Sequence, residues 1–233
     1  MGSGVYAGAF SLEHCQAQKD ADGISVGDAL RSIGALGIDP APEFDAYFEA
    51  HIEQGPVLEN EGKVIGVVES ALGQRWFDVV LDGQDAHAGP TPIGLRRDAL
   101  LAAAHLTVAV REVATSHPHY ARGTVGRLVV SPNSRNVIPG RVEMSIDLRC
   151  ADAATLDAMT DAVKGAAARI SADSGVSISL EQTVYFAPCA FDASLVDSIE
   201  TTAQAFGYSH RRLASGAGHD AVYVARRCPT AMI

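Results

Sequence analysis

Between Gln74 and Phe186 the two hydrophobic periods of secondary structure follow one another in clear order. Gln74–Gly83 reads as a strand of alternating character through Trp76, Val79 and Leu81. Leu95–Ser116 predicts a long helix carrying Leu100, Leu101, His105, Val108 and Val113. Gly123–Ser131 and Arg141–Cys150 read as two strands, joined through Asn133–Gly140. Ala153–Gly175 places Leu156, Met159, Val163, Ala167 and Ile170 on one face of a second long helix. Val176–Phe186 sets Val176, Ile178 and Leu180 against Ser177, Ser179 and Glu181, a final strand. The order β-α-β-β-α-β is the split βαβ, ferredoxin-like pattern. It predicts an independently folded unit over roughly 73–188, with two helices on one face of a four-stranded antiparallel sheet.

The flanks are less regular. Residues 1–33 suggest a short irregular start, then a helix capped by Ser25, with Val26, Leu30 and Ile33 at helical spacing. Leu36–Pro42 is a loop. Phe44–Ala50 reads as a strand, with Phe44, Ala46 and Phe48 on one side and Asp45, Tyr47 and Glu49 on the other. Gly62–Leu72 is another strand, apolar enough to be buried on both faces. Pro188–Asp192 links back to a helix at Ala193–Phe206, ended by Gly207. Ser215–His219 is a glycine-rich loop opening a segment, Asp220–Arg227, with helical character. Thr230–Ile233 is a strand-like run.

Composition narrows the classes. A chain of 233 residues, 47% hydrophobic, can bury one or two cores. A net charge of −10 argues against a nucleic-acid partner, which needs a basic patch. No apolar run approaches the roughly 20 residues of a membrane span, and the start shows no signal-peptide pattern. Cys15, Cys150, Cys189 and Cys228 form no C-x-x-C, and read as reduced thiols of a cytoplasmic protein. There is no Gly-x-Ser-x-Gly, Walker loop, dinucleotide fingerprint or His-Glu-x-x-His, so a serine or cysteine nucleophile is unsupported.

The polar residues that remain gather at strand ends and glycine turns. His51-Ile-Glu-Gln54-Gly-Pro closes a strand where open α/β sheets build their sites. His51 is either a surface histidine or a metal ligand, with Glu53 and Asp45 as candidate neighbours. Gln54 offers both a donor and an acceptor. His87 sits in Asp85-Ala-His-Ala-Gly-Pro, a tight turn that projects the imidazole from its own core. Arg149 either pairs structurally with Asp147 or forks onto a carboxylate. Gly218 and His219 either start a helix or line an anion site. His14, His105, His117, His119 and His210 match no functional motif.

His51–Glu59 closely resembles the metal-binding motif of the amidase/hydantoinase/carbamoylase family of dinuclear-metal hydrolases. Four further stretches resemble that family in its order: Met1-Gly-Ser-Gly-Val-Tyr-Ala-Gly8; Gly83-Gln-Asp-Ala-His87-Ala-Gly-Pro-Thr-Pro92; Ser134-Arg-Asn136-Val-Ile-Pro139 with Asp147-Leu-Arg149; and Ser215-Gly-Ala-Gly-His219-Asp220-Ala. The resemblance covers essentially the whole chain. It implies an α/β fold, with a partial zinc-aminopeptidase-like catalytic domain at 1–72 and 189–233. An inserted ferredoxin-like lid and dimerisation domain would occupy 73–188.

The resemblance also implies metal-dependent hydrolysis of a non-peptide C–N bond, in N-carbamoyl-amino acids, allantoate or related small carboxylates. Two divalent ions would serve in the complete enzyme: zinc, manganese or cobalt. His51 would be a metal ligand. His87 would stabilise the oxyanion across a homodimer. Asn136 and Arg149 would hold the substrate's carboxylate, with Asp147 orienting the arginine, while Gln54, Gly218 and His219 contact substrate. Such enzymes carry a His-x-Asp pair and a Glu-Glu pair upstream, and a second ligand histidine just beyond the position of Ile233. The chain is therefore expected to be the middle and later part of an enzyme, inactive alone. A non-catalytic module, dimerising or binding small carboxylates, is the alternative, and a separate chain supplying the missing half is a third reading.

Overall fold

The computed structural model describes residues 1–37, 41–117 and 120–233. Part of the expected 36–42 loop, and His119, lie outside the described residues. The fold is mixed α/β. In chain order it runs α1 (Gly2–Tyr6), α2 (Leu12–Ala17), α3 (Val26–Ser32), β1 (Tyr47–Glu49), α4 (Val57–Asn60) and β2 (Ile65–Ala71). Then come β3 (Gly73–Asp82), β4 (Ala86–His87), α5 (Ala99–Ser116), β5 (Arg122–Ser131), β6 (Val137–Ile138), β7 (Arg141–Cys150), α6 (Ala153–Ser174) and β8 (Ser177–Phe186). The chain closes with β9 (Cys189–Ala190), α7 (Ala193–Ala205), β10 (His210–Ser215), α8 (Asp220–Val224) and β11 (Thr230–Met232). It divides into two compact units, residues 1–71 with 189–233, and residues 72–188.

In the second unit β5, β7, β3 and β8 lie side by side in that order, every pair antiparallel. Phe77, Val79 and Leu81 of β3, with Val142, Met144, Ile146 and Leu148 of β7, form one buried face. Two helices cover it. α6 buries Leu156, Met159, Val163 and Ala167, as its spacing predicts. α5 buries Ala99, Ala102, Ala103, Leu106, Val110 and Ala114 instead of the larger residues the sequence suggested. Leu100, Leu101 and Val108 face outward. The alanines themselves repeat at three and four residues, and their small side chains let the helix lie close to the sheet. A Cβ at Gly123 would stand 2.7 Å from the Val110 carbonyl oxygen, so that approach requires glycine. Trp76 also departs from expectation: it lies on the opposite face from Phe77 and is 41% exposed.

α5 starts at Ala99 rather than Leu95, because Ile93–Leu95 forms a 3-10 turn after Pro92. Asp98 then caps the helix, accepting from the Leu100 and Leu101 N–H groups. α6 is capped by Asp152 and stopped at Gly175, whose φ is 67°.

In the first unit the sheet order is β1-β11-β2-β10, with β9 also pairing β2. β1 lies parallel to β11, and β10 parallel to β2. Val67, Val68, Ala71, Phe191, Val196, Ile199, Ala221, Ala231 and Met232 form the core. The strand expected at Phe44–Ala50 shrinks to Tyr47–Glu49, the span that finds partners on β11. β2 buries Gly66, Val67 and Val68 in succession, so both of its faces are covered there, as expected, and exposes Glu69 beyond them. Ser25 caps α3 as expected, accepting from the Asp28 N–H. α1 and α2 stand where an irregular start was expected, and Ser11 caps α2. Beside α7 the sheet leaves an apolar groove of about 340 Å³, with Phe48, Ile65, Ile199, Phe206, Tyr208 and Ile233 among its lining. Among the described residues no helix is long and apolar enough to cross a membrane.

Candidate active site

The first unit gathers one polar cluster where β1 and β10 end. His51 follows β1 by two residues, and its N–H donates to the Ile233 carbonyl at 2.9 Å. Its Nδ1 lies 2.6 Å from the Ile52 carbonyl oxygen. Only a protonated Nδ1 makes that contact favourable, which leaves the Nε2 lone pair open, the arrangement metal-ligating histidines adopt. The His51 ring meets His219 edge to face at 4.8 Å between centroids.

His219 is held on both sides. Its Nδ1 stands 3.5 Å from Glu49 Oε1, and its Nε2 2.5 Å from Ser215 Oγ. Its side chain is 4% exposed, and burial pushes its pKa below the ordinary imidazole value, opposed by the Glu49 charge. Both ring nitrogens are thus engaged within the protein.

Glu49 is the residue that the sequence reading missed. Its Oε2 accepts from the Ala221 N–H at 2.7 Å, at the start of α8, and from the Tyr47 hydroxyl at 3.4 Å. Burial, and then the Glu49 charge, raise the Tyr47 phenol's pKa. One carboxylate therefore ties the strand leading to His51 to the glycine loop before α8. Its sequence signal was the i, i+2 spacing of Tyr47, Glu49 and His51. Glu53 is not a neighbour for a metal: its two oxygens accept from the Val57 and Leu58 N–H groups and cap α4. Asp45 is exposed. Gln54 is exposed in a left-handed conformation, φ 54°, and its amide makes no hydrogen bond among the described residues. Gly218 is exposed in the loop between Ser215 and His219.

In the second unit β4 and β6 form a small ribbon, His87 opposite Val137. The Ala88 N–H donates to the Asn136 carbonyl at 2.9 Å. His87 is exposed, and the Gly89 N–H donates to its Nδ1 at 3.1 Å. The Asn136 side-chain oxygen accepts from Ser134. His87 and Asn136 therefore share one edge of the sheet, at the end of β3 and the start of β7.

Arg149 lies at the other edge. From Arg141 to Arg149, β7 spans about 26 Å at about 3.3 Å per residue. Arg149 opposes Gln74 and Arg122, near the sheet edge where the chain enters β3. Its Nε and Nη2 donate to Asp147 at 2.6 to 3.1 Å. Asn136 and Arg149 therefore stand about a strand's length apart, at opposite ends of β7. The sequence spacing suggested a hairpin, but β7 runs straight between them.

Among the described residues no three His, Cys, Asp or Glu side chains are grouped to hold a metal ion. These residues fit one ligand position, at His51, and not a complete site.

Residues 8–233 match Peptidase family M20/M25/M40. The chain is 45% identical over 235 residues to the N-carbamoyl-L-amino-acid amidohydrolase of Rhizobium meliloti, covering 100% of this chain and 56% of that protein. It is 33% identical over 236 residues to the allantoate amidohydrolase of Bacillus subtilis, covering 57% of it. The crystal structure of an amidase of the hydantoinase/carbamoylase family from Burkholderia multivorans superposes with a TM-score of 0.96 at 49% identity. That match covers 99% of this chain and 56% of the other. The chain thus spans little more than half the length of these relatives. With the match running through both units, the chain belongs to Peptidase family M20/M25/M40, whose hydrolases generally depend on two metal ions.

Proposed function

We propose that these residues form part of an amidohydrolase acting on a non-peptide C–N bond in a small carboxylate-bearing substrate. N-carbamoyl-amino acids and allantoate are the candidate substrates, after the names of the relatives. The observation that carries the reading is the His51 imidazole, fixed through Nδ1 with Nε2 open, beside the Glu49–His219–Ser215 chain. Two divalent ions, zinc, manganese or cobalt, would supply activated water when bound. His51 is this chain's ligand for them. The remaining ligands and the general base would come from outside these residues, so residues 1–233 alone are expected to be inactive.

The second unit acts as lid and dimerisation domain in this reading. Its β5 is an edge strand with Leu128 and Val129 exposed, and α5 beside it exposes Leu101 and Val108. Pairing two such edges in a homodimer would cover these side chains. His87 and Asn136 are tied by the β4–β6 ribbon, and so travel together to one site, that of the neighbouring protomer. There His87 donates from Nε2 to the oxyanion as the carbonyl is attacked. Arg149, oriented by Asp147, serves the carboxylate with its fork. Gln54 and the Gly218 main chain position substrate, and His219 supports that loop. No basic patch for nucleic acid and no membrane helix enter this reading, and the free cysteines suit a cytoplasmic setting.

The test uses a polypeptide that adds the remaining span of the relatives to these residues. His87→Ala should lower kcat by about 10²–10³ and leave metal content unchanged. His51→Ala should lower metal content. Arg149→Lys should mainly raise KM, since a point charge does not reproduce the fork. Mixing the His87→Ala and His51→Ala proteins should restore activity in mixed dimers, where one site receives both intact groups. No recovery after proven subunit exchange would remove the shared site. Full activity in His51→Ala would remove the hydrolase reading and leave the non-catalytic module.

A further inference from the structure

The His87 turn is braced by a side chain to which no motif assigned a role. Arg96, half-buried, aims its guanidinium back at the main chain of residues 88–91. Nη2 donates to the Ala88 carbonyl at 2.8 Å and to the Thr91 carbonyl at 3.0 Å, and Nε donates to Thr91 as well, at 3.0 Å. These three bonds all go to carbonyl oxygens, which fixes backbone rather than balancing charge. Between those two carbonyls lies Gly89, whose N–H donates to His87 Nδ1. A ring nitrogen that accepts carries no proton, so the neutral imidazole holds its proton on Nε2. Two further hydrogen bonds fix the approach to the turn. Asp85 Oδ1 accepts from the Gly140 N–H at 2.6 Å, and Gln84 N–H donates to the Arg97 carbonyl at 2.9 Å.

We propose that Arg96 is a positioning residue for His87. By closing the 88–91 turn it holds the Gly89 N–H against Nδ1, so the exposed Nε2–H is presented as a neutral donor. The inference rests on the reading of His87 as an oxyanion donor, but its structural half is measurable without activity. Long-range proton–nitrogen NMR on the 233-residue chain reports which ring nitrogen is protonated. The His87 signal is assigned by its loss in His87→Gln. The measurement is made about two units above the ordinary imidazole pKa of about 6.5. In the unaltered chain His87 should be the Nε2–H form, and the Gly89 amide should exchange slowly. Arg96→Met removes all three donors and should mix the two tautomers and speed Gly89 exchange by about tenfold or more. Arg96→Lys, with one ammonium in place of the fork, should fall between. Arg97→Met is the control and should change neither signal.

Activity adds a second reading in the polypeptide of relatives' length. Arg96→Met should lower kcat more than it raises KM, and should cost nothing further in a His87→Ala background, because it acts only through His87. An Nε2–H tautomer and slow Gly89 exchange retained in folded Arg96→Met would overturn the proposal. So would an undiminished loss of kcat in the His87→Ala background. If His87→Ala itself left kcat intact, the oxyanion reading would fall, while the NMR would still decide whether Arg96 sets the ring.

Discussion

The two units solve the burial problem differently. In residues 72–188 every strand of the four-stranded sheet is long, ten residues in each of β3, β5, β7 and β8. Two long helices close one face, so Phe77, Leu81, Leu106, Met144 and Leu148 are almost fully buried within that unit. In the other unit β1 and β11 are three residues each. Phe48 is 49% exposed and Phe206 73% exposed, both beside an open apolar groove. The first arrangement is complete by local periodicity plus one sheet. The second joins segments from both ends of the chain, and its apolar groove stays bare. Chemistry follows the same division: the partly buried Glu49–His219 pair belongs to the less regular unit, whereas His87 stands on a self-contained turn.

The largest expected effect tests the completeness of the second unit. Phe77→Ala should destabilise it by about 3–5 kcal/mol, since the ring leaves a cavity between the sheet and two helices. Urea unfolding of a 72–188 polypeptide should show one cooperative transition moved by that amount. A loss below about 1 kcal/mol would mean that the core reads tighter than it is. Ile199→Ala, in the first unit's core, should cost about 2–5 kcal/mol on the same scale, and a cost well above that of Phe77→Ala would invert the comparison.

Acid provides a smaller test. Asp152 caps α6 and Asp192 caps α7, and each carboxyl is held below the usual range by hydrogen bonds from its own helix start. For Asp152 the Thr155 N–H is the main donor, and for Asp192 the Ser194 hydroxyl followed by the Leu195 N–H. Their folded pKa values lie below the unfolded value of about 3.9. The stabilisation is therefore complete above that value and lost as pH falls through the folded pKa. Asp152→Asn should flatten the acid limb of stability against pH in the second unit, and Asp192→Asn in the first. An unchanged limb in both would show that these caps carry no linked protons.

The smallest effect is expected in the groove. Phe206→Ser should change the stability of the 233-residue chain by no more than about 0.5 kcal/mol, because most of that ring already meets water. A loss of several times that size would show that the groove is filled.

Legibility in the sequence follows the same line. The strands at Arg141–Cys150 and Ser177–Phe186 and the helix at Ala153–Ser174 were readable because each repeats its apolar residues over many positions. α5 was readable as a helix but not in its orientation, since its buried face is mostly alanine, a weaker hydrophobic signal than Leu101 and Val108. The extent of β1 was not readable, because three residues carry no period and their partners lie at Thr230–Met232. Of the site, His51, Gln54, His87, Asn136, Arg149, Gly218 and His219 were chosen from motifs. Glu49 and Arg96 were not: Glu49 shows only its i, i+2 spacing with Tyr47 and His51, and the roles of both rest on hydrogen bonds to Ala221, Ala88 and Thr91 formed in the folded chain.

By itself the sequence determined the elements with sustained periods, the helix cap at Ser25, and the family motifs. These depend on residues near one another in the chain, where side-chain period and backbone preference act directly. Only the tertiary structure decided that His219 is enclosed between Glu49 and Ser215, that Arg96 closes the His87 turn, and that Asn136 stands a strand's length from Arg149. Those facts turn on which distant segments meet, and the free energy of such meetings lies in burial and hydrogen bonds formed only once the chain has folded.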